Sequence, residues 1–219
     1  MIGRGVLQVL LDVLAPQRCV GCGEHGGGLC SGCRETIAKT PMVVRRDISG
    51  IATVIALGSY EGTLRRAILA LKYANRPDVG LALGLVLAAK ASEAGELLVP
   101  VPLHRSRLRQ RGYNQAEVIA RAVRRGCAGL AVRRELDFVP GALVRSKVTA
   151  MQSSLDQTER ERNVTGAFVP GPDAWRVAGA TVVLIDDVVT TGATLSACAR
   201  VLHEAGARSV TALCLAARI

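Results

Sequence analysis

Three features of the sequence predict an α/β fold with a parallel sheet, preceded by a small metal-held module. Thr181 to Ile185 is an unbroken apolar and β-branched run, the pattern of a strand buried on both faces and therefore central in a parallel sheet. Strand-like runs alternate with helical stretches from Ile51 to Ala216. Near the start, four cysteines stand as two Cys-x-x-Cys pairs.

Composition sets the bounds. The 219 residues suffice for one medium domain and a small module. At 49% hydrophobic and 21% charged the chain is globular rather than disordered. Aromatic residues make up only 3%, so the core must be built from Ala, Val, Leu and Ile. The net charge is +10, and of the basic residues only Lys39, Lys72, Lys90 and Lys147 are lysines. Arginine pairs bidentately with phosphate, so a polyanionic partner is one source of this excess. Surface charge in an Arg-rich, GC-biased proteome is the other.

The chain opens with MIGRGVLQVLLDVLAP, read as an amphipathic helix over residues 1–14 with Leu7, Leu10, Leu11 and Leu14 on one face. Asp12 interrupts the apolar stretch and no small-residue cleavage site follows, which argues against a signal peptide. No run approaches the length of a membrane span, so no transmembrane helix is expected and the localisation is expected to be cytoplasmic. Seven cysteines in such a protein point to metal rather than disulfides.

Pro16 ends the first helix. The motif Cys19-x2-Cys22-x7-Cys30-x2-Cys33 then presents four thiolates at zinc-ribbon spacing. Gly21, Gly23 and Gly32 permit the tight turns that aim backbone N–H groups at sulfur. Four sulfurs fill a tetrahedron, which makes the expected Zn²⁺ structural; a redox Cys-x-x-Cys is the competing reading. His25, between the pairs, reads as a surface residue. The module has too few apolar residues for a core of its own, so metal binding would supply its folding energy.

Thr40 to Ser49 reads as a connector, Ile51 to Tyr60 as a strand, and Glu61 to Tyr73 as a helix. That helix carries Leu64, Ile68 and Leu71 on its apolar stripe, with Arg65, Arg66 and Lys72 outside it. Pro77 or Asp78 starts a Leu- and Ala-rich helix running to about Ala94, and Gly95 ends it. A short strand over Leu97 to Val101 leads into a stretch where Arg105, Arg107, Arg109 and Arg111 alternate, read as a loop. Asn114 begins the next helix, and Gly126 to Arg134 is a break. An arginine-rich loop between a strand end and a helix suits a pyrophosphate in an α/β sheet; by itself it equally suits a solvated face.

Leu136 to Val144 contains a short strand, and Val144 to Val169 mixes hydroxyl, amide and charged residues as a mobile loop and partial helix. Pro170 to Gly179 is a loop holding Trp175, the chain's one tryptophan. Two carboxylates, Asp186 and Asp187, follow the Thr181–Ile185 strand, and then come Thr190, Thr191, Gly192, Ala193 and Thr194 before a new helical pattern. A strand, an acidic pair, a hydroxyl-rich turn and a helix N-terminus make a phosphate site. The carboxylates suit ribose hydroxyls or Mg²⁺. Gly206 ends that helix, His203 faces its C-terminal dipole, and Val210 to Ala216 is a last strand. Cys127, Cys198 and Cys214 read as packing residues.

DDVVTTGAT resembles the phosphate-and-ribose loop of type I phosphoribosyltransferases, which bind 5-phosphoribosyl-1-pyrophosphate (PRPP) on a Rossmann-like sheet. VPVPLHRSRLRQRGYNQAEVIA is similar to the signature segment of ComF-family proteins (ComFC and GntX-like), where it carries the pyrophosphate loop. Thr149, Gln152, Glu159 or Glu161 with Arg160 and Arg162, Asn163, and Gly166-Ala167-Phe168 follow in the same family order. With the cysteine module, the resemblance covers nearly the whole chain. It implies an N-terminal helix and zinc-ribbon module over residues 1–40 and a phosphoribosyltransferase-like domain over residues 41–219. It further implies Asp186, Asp187 and Arg105 as catalytic residues. PRPP would be held by Asp186, Asp187, Thr190, Thr191, Gly192, Ala193, Thr194, His104 and Arg105, with Mg²⁺. The expected activity is transfer of phosphoribosyl with release of pyrophosphate, linked to DNA uptake in competence. The alternative is a non-catalytic accessory protein that binds single-stranded DNA beside a competence helicase or recombination proteins. No residue supplies a clear general base, so the acceptor stays open.

Overall fold

The computed structural model describes residues 18–129, 136–146 and 166–218. The expected helix over residues 1–14 and the Thr149, Gln152, Glu159, Arg160, Glu161, Arg162 and Asn163 segment lie outside the described residues. In chain order the elements are α1 (Ser31–Lys39), β1 (Val43–Arg45), β2 (Val54–Ala56), α2 (Gly62–Tyr73) and α3 (Pro77–Ala94). There follow β3 (Leu97–Pro100), α4 (Arg105–Arg111), α5 (Gln115–Gly129), β4 (Asp137–Phe138), β5 (Leu143–Arg145) and β6 (Phe168–Pro170). A 3₁₀ turn (Ala174–Val177), β7 (Thr181–Val189), α6 (Ala193–Glu204) and β8 (Ser209–Ala217) complete the described chain.

The main sheet has the order β1-β2-β8-β7-β3-β4. Every pairing is parallel except β1 with β2. The connection after β3 leads outward to β4, whereas the one after β7 leads the opposite way to β8. The strand order therefore reverses between β3 and β7, and a crevice opens beyond their carboxyl ends. A separate antiparallel pair, β5 with β6, sits Arg145 opposite Phe168.

Two apolar layers sandwich the sheet. Val182 and Leu184 pack with Leu195, Cys198 and Leu202 of α6 and with Leu143 and Phe168 of the small hairpin. Val183 and Ile185, the alternating residues of β7, pack on the other side with Leu64, Ile68 and Leu71 of α2, Leu83 and Leu87 of α3, and Ile119 and Val123 of α5. The cysteine module contributes Cys19, Leu29, Cys33 and Ile37 to this second layer. Its few apolar residues thus complete the core over α2 rather than forming their own.

Several elements differ from the sequence reading. The Thr181 strand runs on to Val189, so Asp186 and Asp187 lie within it rather than after it. Its length comes from β8, which pairs with it from Thr181 to Val189. The connector over Thr40 to Ser49 contains β1, an edge strand too short to register as a pattern. The Ile51–Tyr60 strand shrinks to Val54–Ala56, where β8 offers a partner. The arginine stretch over residues 105–111 is helical, not a loop. His104 caps it, its Nδ1 accepting from the Ser106 N–H at 3.2 Å, and left-handed Gly112 (φ 84°) ends it. Arginine is a good helix former, and without an apolar stripe the periodicity could not show the helix. α5 also continues to Gly129, past the expected break at Gly126. Gly126 closely abuts Ala88, so a small residue there serves helix packing rather than termination. The helices over Gly62–Tyr73 and Pro77–Ala94, and the strand at Ser209–Ala217, stand close to their expected bounds.

Candidate functional site

The crevice at the strand-order reversal is a cleft of about 630 Å³. Its floor is Asp186 and Asp187. Thr190 and Thr194 close one side, Arg107, Gln110 and Arg111 of α4 another, and Lys72 and Tyr73 end α2 at a third. Arg145, Tyr60 and Arg218 also line it.

Strand alternation decides what each carboxylate meets. Carried past Ile185, it sends Asp186 toward the α6 side and Asp187 toward the α2 side. On the α2 side, the Lys72 ammonium lies 2.6 Å from Asp187 Oδ1. Burial disfavours the Lys72 charge, but Asp187 and then Asp186 outweigh it and hold the ammonium above its ordinary range. Asp187 Oδ2 is buried with no hydrogen-bond partner among the described residues. Asp186 is half-buried; burial and the Asp187 charge push its carboxyl up to about 7, against the pull of Lys72, the Asp187 N–H and Arg145. That N–H donates to Asp186 Oδ1 at 2.8 Å. The pair is therefore asymmetric: one carboxylate salt-bridged, the other poised to hold a proton near neutrality. Beyond the acids the alternation breaks, with Val188 packed on the α2 side and Val189 on the α6 side.

The turn after β7 is held from outside. Arg45 of β1 donates to the Thr190 carbonyl, while its guanidinium is paired to Asp47 at 2.6 Å. Gly192 starts α6 at φ 85°, and a Cβ there would stand 2.5 Å from Ile48 Cδ1. Only glycine meets both constraints without strain. Having no side chain, Gly192 leaves the helix end uncapped by its own residue, which suits an anion at that end.

Arg145 was missed by the sequence reading, as was the role of Lys72. Arg145 is buried, stacks 5.2 Å from the centre of Phe168, and lies near Asp186. Burial, and then the Arg107 charge, lower its proton affinity. Its position on a three-residue strand hid it; for Lys72 the signal was one residue beside an apolar stripe. Of the predicted PRPP residues, Asp186, Asp187, Thr190 and Thr194 line the cleft. Thr191 and Ala193 belong to the same turn, where Ala193 N–H faces Thr191 Oγ1 at 3.4 Å. His104 and Arg105 start α4 and do not line the cleft; their neighbours Arg107 and Arg111 do.

At the other end of α2, the sulfurs of Cys19, Cys22, Cys30 and Cys33 lie within 4.8 Å of one another, close enough to converge on one tetrahedral ion. N–H groups of Gly21 and Cys30 point at Cys19 Sγ at 3.4 and 3.3 Å, and that of Cys33 at Cys30 Sγ at 3.5 Å. Burial opposes ionisation of Cys19, but N–H groups of Cys30, Cys22 and Gly21 outweigh it and pull the thiol down to about 6. The donor set and its N–H shell fit structural zinc. His25 is exposed and outside this cluster. The module is docked by Arg66 of α2, whose Nε donates to the Gly21 carbonyl at 2.8 Å. No helix among the described residues is long and apolar enough to cross a membrane.

Residues 107–219 match the model of the phosphoribosyl transferase domain. The DNA utilization protein YhgH of Escherichia coli (strain K12) is 30% identical over 173 residues, covering 74% of this chain and 70% of that protein. Competence protein F of Haemophilus influenzae is 27% identical over 222 residues, covering 88% of this chain and 93% of that protein. Among solved structures, the allosteric regulatory enzyme of purine biosynthesis aligns with a TM-score of 0.44 and 21% identity, covering 67% of this chain and 30% of that one. The chain thus belongs to the ComF family, and its α/β sheet is that of a phosphoribosyl transferase domain.

Proposed function

We propose that the cleft binds PRPP with Mg²⁺ and transfers its phosphoribosyl group, releasing pyrophosphate, in a cytoplasmic protein that serves DNA uptake. The observation that carries this reading is the two-sided charge of the cleft. An acidic floor at Asp186 and Asp187 lies between a hydroxyl-rich helix start and a row of α4 arginines. Such a site fits a sugar with phosphate at both ends. Thr190, Thr191, Gly192, Ala193 and Thr194 take the 5′-phosphate at the uncapped start of α6. Asp186 and Asp187 accept from the ribose hydroxyls, and the unpartnered Asp187 Oδ2 suits a hydroxyl or Mg²⁺. Bound Mg²⁺ would neutralise pyrophosphate charge.

The reaction breaks the C1–O bond to pyrophosphate and forms a bond from C1 to the acceptor, through an oxocarbenium-like transition state. Negative charge grows on the leaving pyrophosphate. Arg107 and Arg111, which face the cleft, stabilise that charge together with Arg105 at the head of the same helix. The cysteine module, residues 18–40 of the described chain, serves as a zinc-held brace for the domain that begins at residue 41. The names of the relatives, a DNA utilization protein and a competence protein, support the link to DNA uptake. Calorimetry with PRPP and Mg²⁺ tests the site: heat in the wild type and little in Asp187→Ala supports it. Equal binding by both removes it.

A further inference from the structure

Two contrasting sets stand out among the described arginines. Arg45, Arg76, Arg121, Arg176, Arg200 and Arg208 are ion-paired with Asp47, Asp78, Glu117, Asp137, Glu204 and Glu96. At the cleft the pattern changes. Arg65 and Arg218 both lie over the Tyr60 ring, at 6.0 and 5.6 Å from its centre, and Arg111 lies 5.7 Å from that of Tyr73. None of these three has a carboxylate partner among the described residues. A tyrosine ring lies within about 6 Å of each guanidinium, in cation–π range, and no carboxylate among the described residues offsets the charge; Arg111 also donates to Gln115 Oε1.

The Tyr60 cluster is built into the frame. Its N–H donates to Ala217 O at 2.8 Å, and the Ala217 N–H donates to Gly58 O at 2.9 Å, which ties the turn after β2 to the end of β8. Arg218 follows β8 directly and Arg65 rises from the first turn of α2. Tyr60 and Arg218 line the cleft on the side away from α4. Two anion sites, at Thr190 to Thr194 and at α4, already match the two phosphate ends of PRPP. Arg65 and Arg218, over Tyr60, lie outside both.

We propose that Arg65, Tyr60 and Arg218 form a third anion subsite, which holds a phosphate of a nucleotide ligand at the mouth of the cleft. The proposal rests on the phosphoribosyl reading for the identity of the neighbouring ligand. Tyr73, 68% exposed and lining the same cleft, offers the ring on which a base of that ligand stacks. Helix α2, about 18 Å long at 1.5 Å per residue, separates the two tyrosines, a span of several nucleotides of a single strand. The phosphate can come from a single DNA strand, which would reach both tyrosines, or from a free nucleotide, which would occupy the Arg65–Tyr60–Arg218 subsite alone.

Fluorescence anisotropy with a labelled oligothymidylate, over a series of salt concentrations, tests the subsite in the full-length protein. Thymidine 5′-monophosphate serves as competitor, and PRPP affinity is measured in parallel by calorimetry. For Arg65→Gln/Arg218→Gln, strand affinity at low salt should fall at least tenfold. The slope of log affinity against log salt should shrink by about 1.4, as expected for two lost phosphate contacts on a single strand. PRPP affinity should stay within twofold. Tyr60→Leu should weaken strand binding with both arginines present, and Tyr60→Phe should not. Displacement of the strand by the mononucleotide at comparable affinity assigns the subsite to a free nucleotide; failure to displace assigns it to a single strand. Unchanged strand affinity and slope in the double variant overturn the proposal, as does a wild type that binds neither strand nor nucleotide. Loss of PRPP binding in the double variant overturns it too, since those arginines would then belong to the PRPP site. A wild type that binds strand but not PRPP, with the variant effect intact, refutes the phosphoribosyl reading and leaves the subsite standing.

Discussion

Lys72 Nζ and Asp187 Oδ1, 115 residues apart in the chain, meet at 2.6 Å at the floor of the cleft. The side chains are 20% and 5% exposed, so the pair is largely shielded from water. Removing one partner of such a pair leaves the other charge uncompensated. Lys72→Met should therefore lower stability by about 3 kcal/mol in urea unfolding. Lys72→Met/Asp187→Asn, which removes both charges, should recover most of that loss. A single variant as stable as the wild type would show that the pair is not shielded.

Asp186 makes stability depend on pH. Its carboxyl is raised from 3.8 to about 7, so the folded protein holds the proton more tightly than the unfolded chain. The stabilisation from that bound proton is complete below pH 4 and is lost as pH rises toward 7. Asp186→Asn, which cannot ionise, should lack this loss. At pH 8 it should be the more stable protein by on the order of 2 kcal/mol, discounted for water in the cleft. Parallel stability curves for the two proteins from pH 4 to 8 would contradict the raised carboxyl.

Gly192 and Ile48 form a second test pair. Gly192→Ala meets both a left-handed φ of 85° and an Ile48 Cδ1 at 2.5 Å. Together these should cost about 2–3 kcal/mol by thermal or urea unfolding. Adding Ile48→Ala removes the contact but not the backbone strain, so it should relieve only part of the effect of Gly192→Ala. The remaining strain sits at the start of α6, and PRPP affinity should stay reduced in the double variant.

The cysteine cluster packs against the main fold. Elemental analysis should give about one zinc per chain, given four thiolate ligands. Because Cys19, Cys33, Leu29 and Ile37 pack with Leu64 and Ile68, chelation should speed hydrogen exchange in α2 before it reaches β7. Cys33→Ser should act in the same direction. Unchanged exchange in α2 after the metal is stripped would show that the module does not brace that helix.

What was legible in the sequence was local. The two cysteine pairs carry their own spacing, and the Thr181 run needs no partner to read as a buried strand. The turn from Thr190 to Thr194 stands out through its small and hydroxyl residues alone. The helices over Gly62–Tyr73 and Pro77–Ala94 have end signals and, in the first, an apolar stripe. The α4 helix stayed hidden because a run of alternating arginines has no apolar period, and β1 because three residues make no pattern.

The sequence by itself determined the chemical groups: four cysteines at metal-ligand spacing, two adjacent acids, a hydroxyl-rich turn and an excess of arginine. Tertiary structure alone decided how these charges are distributed. Alternation in β7 parts the two acids, giving Asp187 to Lys72 and leaving Asp186 beside Arg145. Packing also chose which arginines pair with carboxylates and which lie over a tyrosine ring without one. The physical reason is that ionisation and charge strength depend on burial and on neighbours within a few ångströms. Those neighbours come from strands and helices far apart in the chain, and the parallel sheet brings them to one edge.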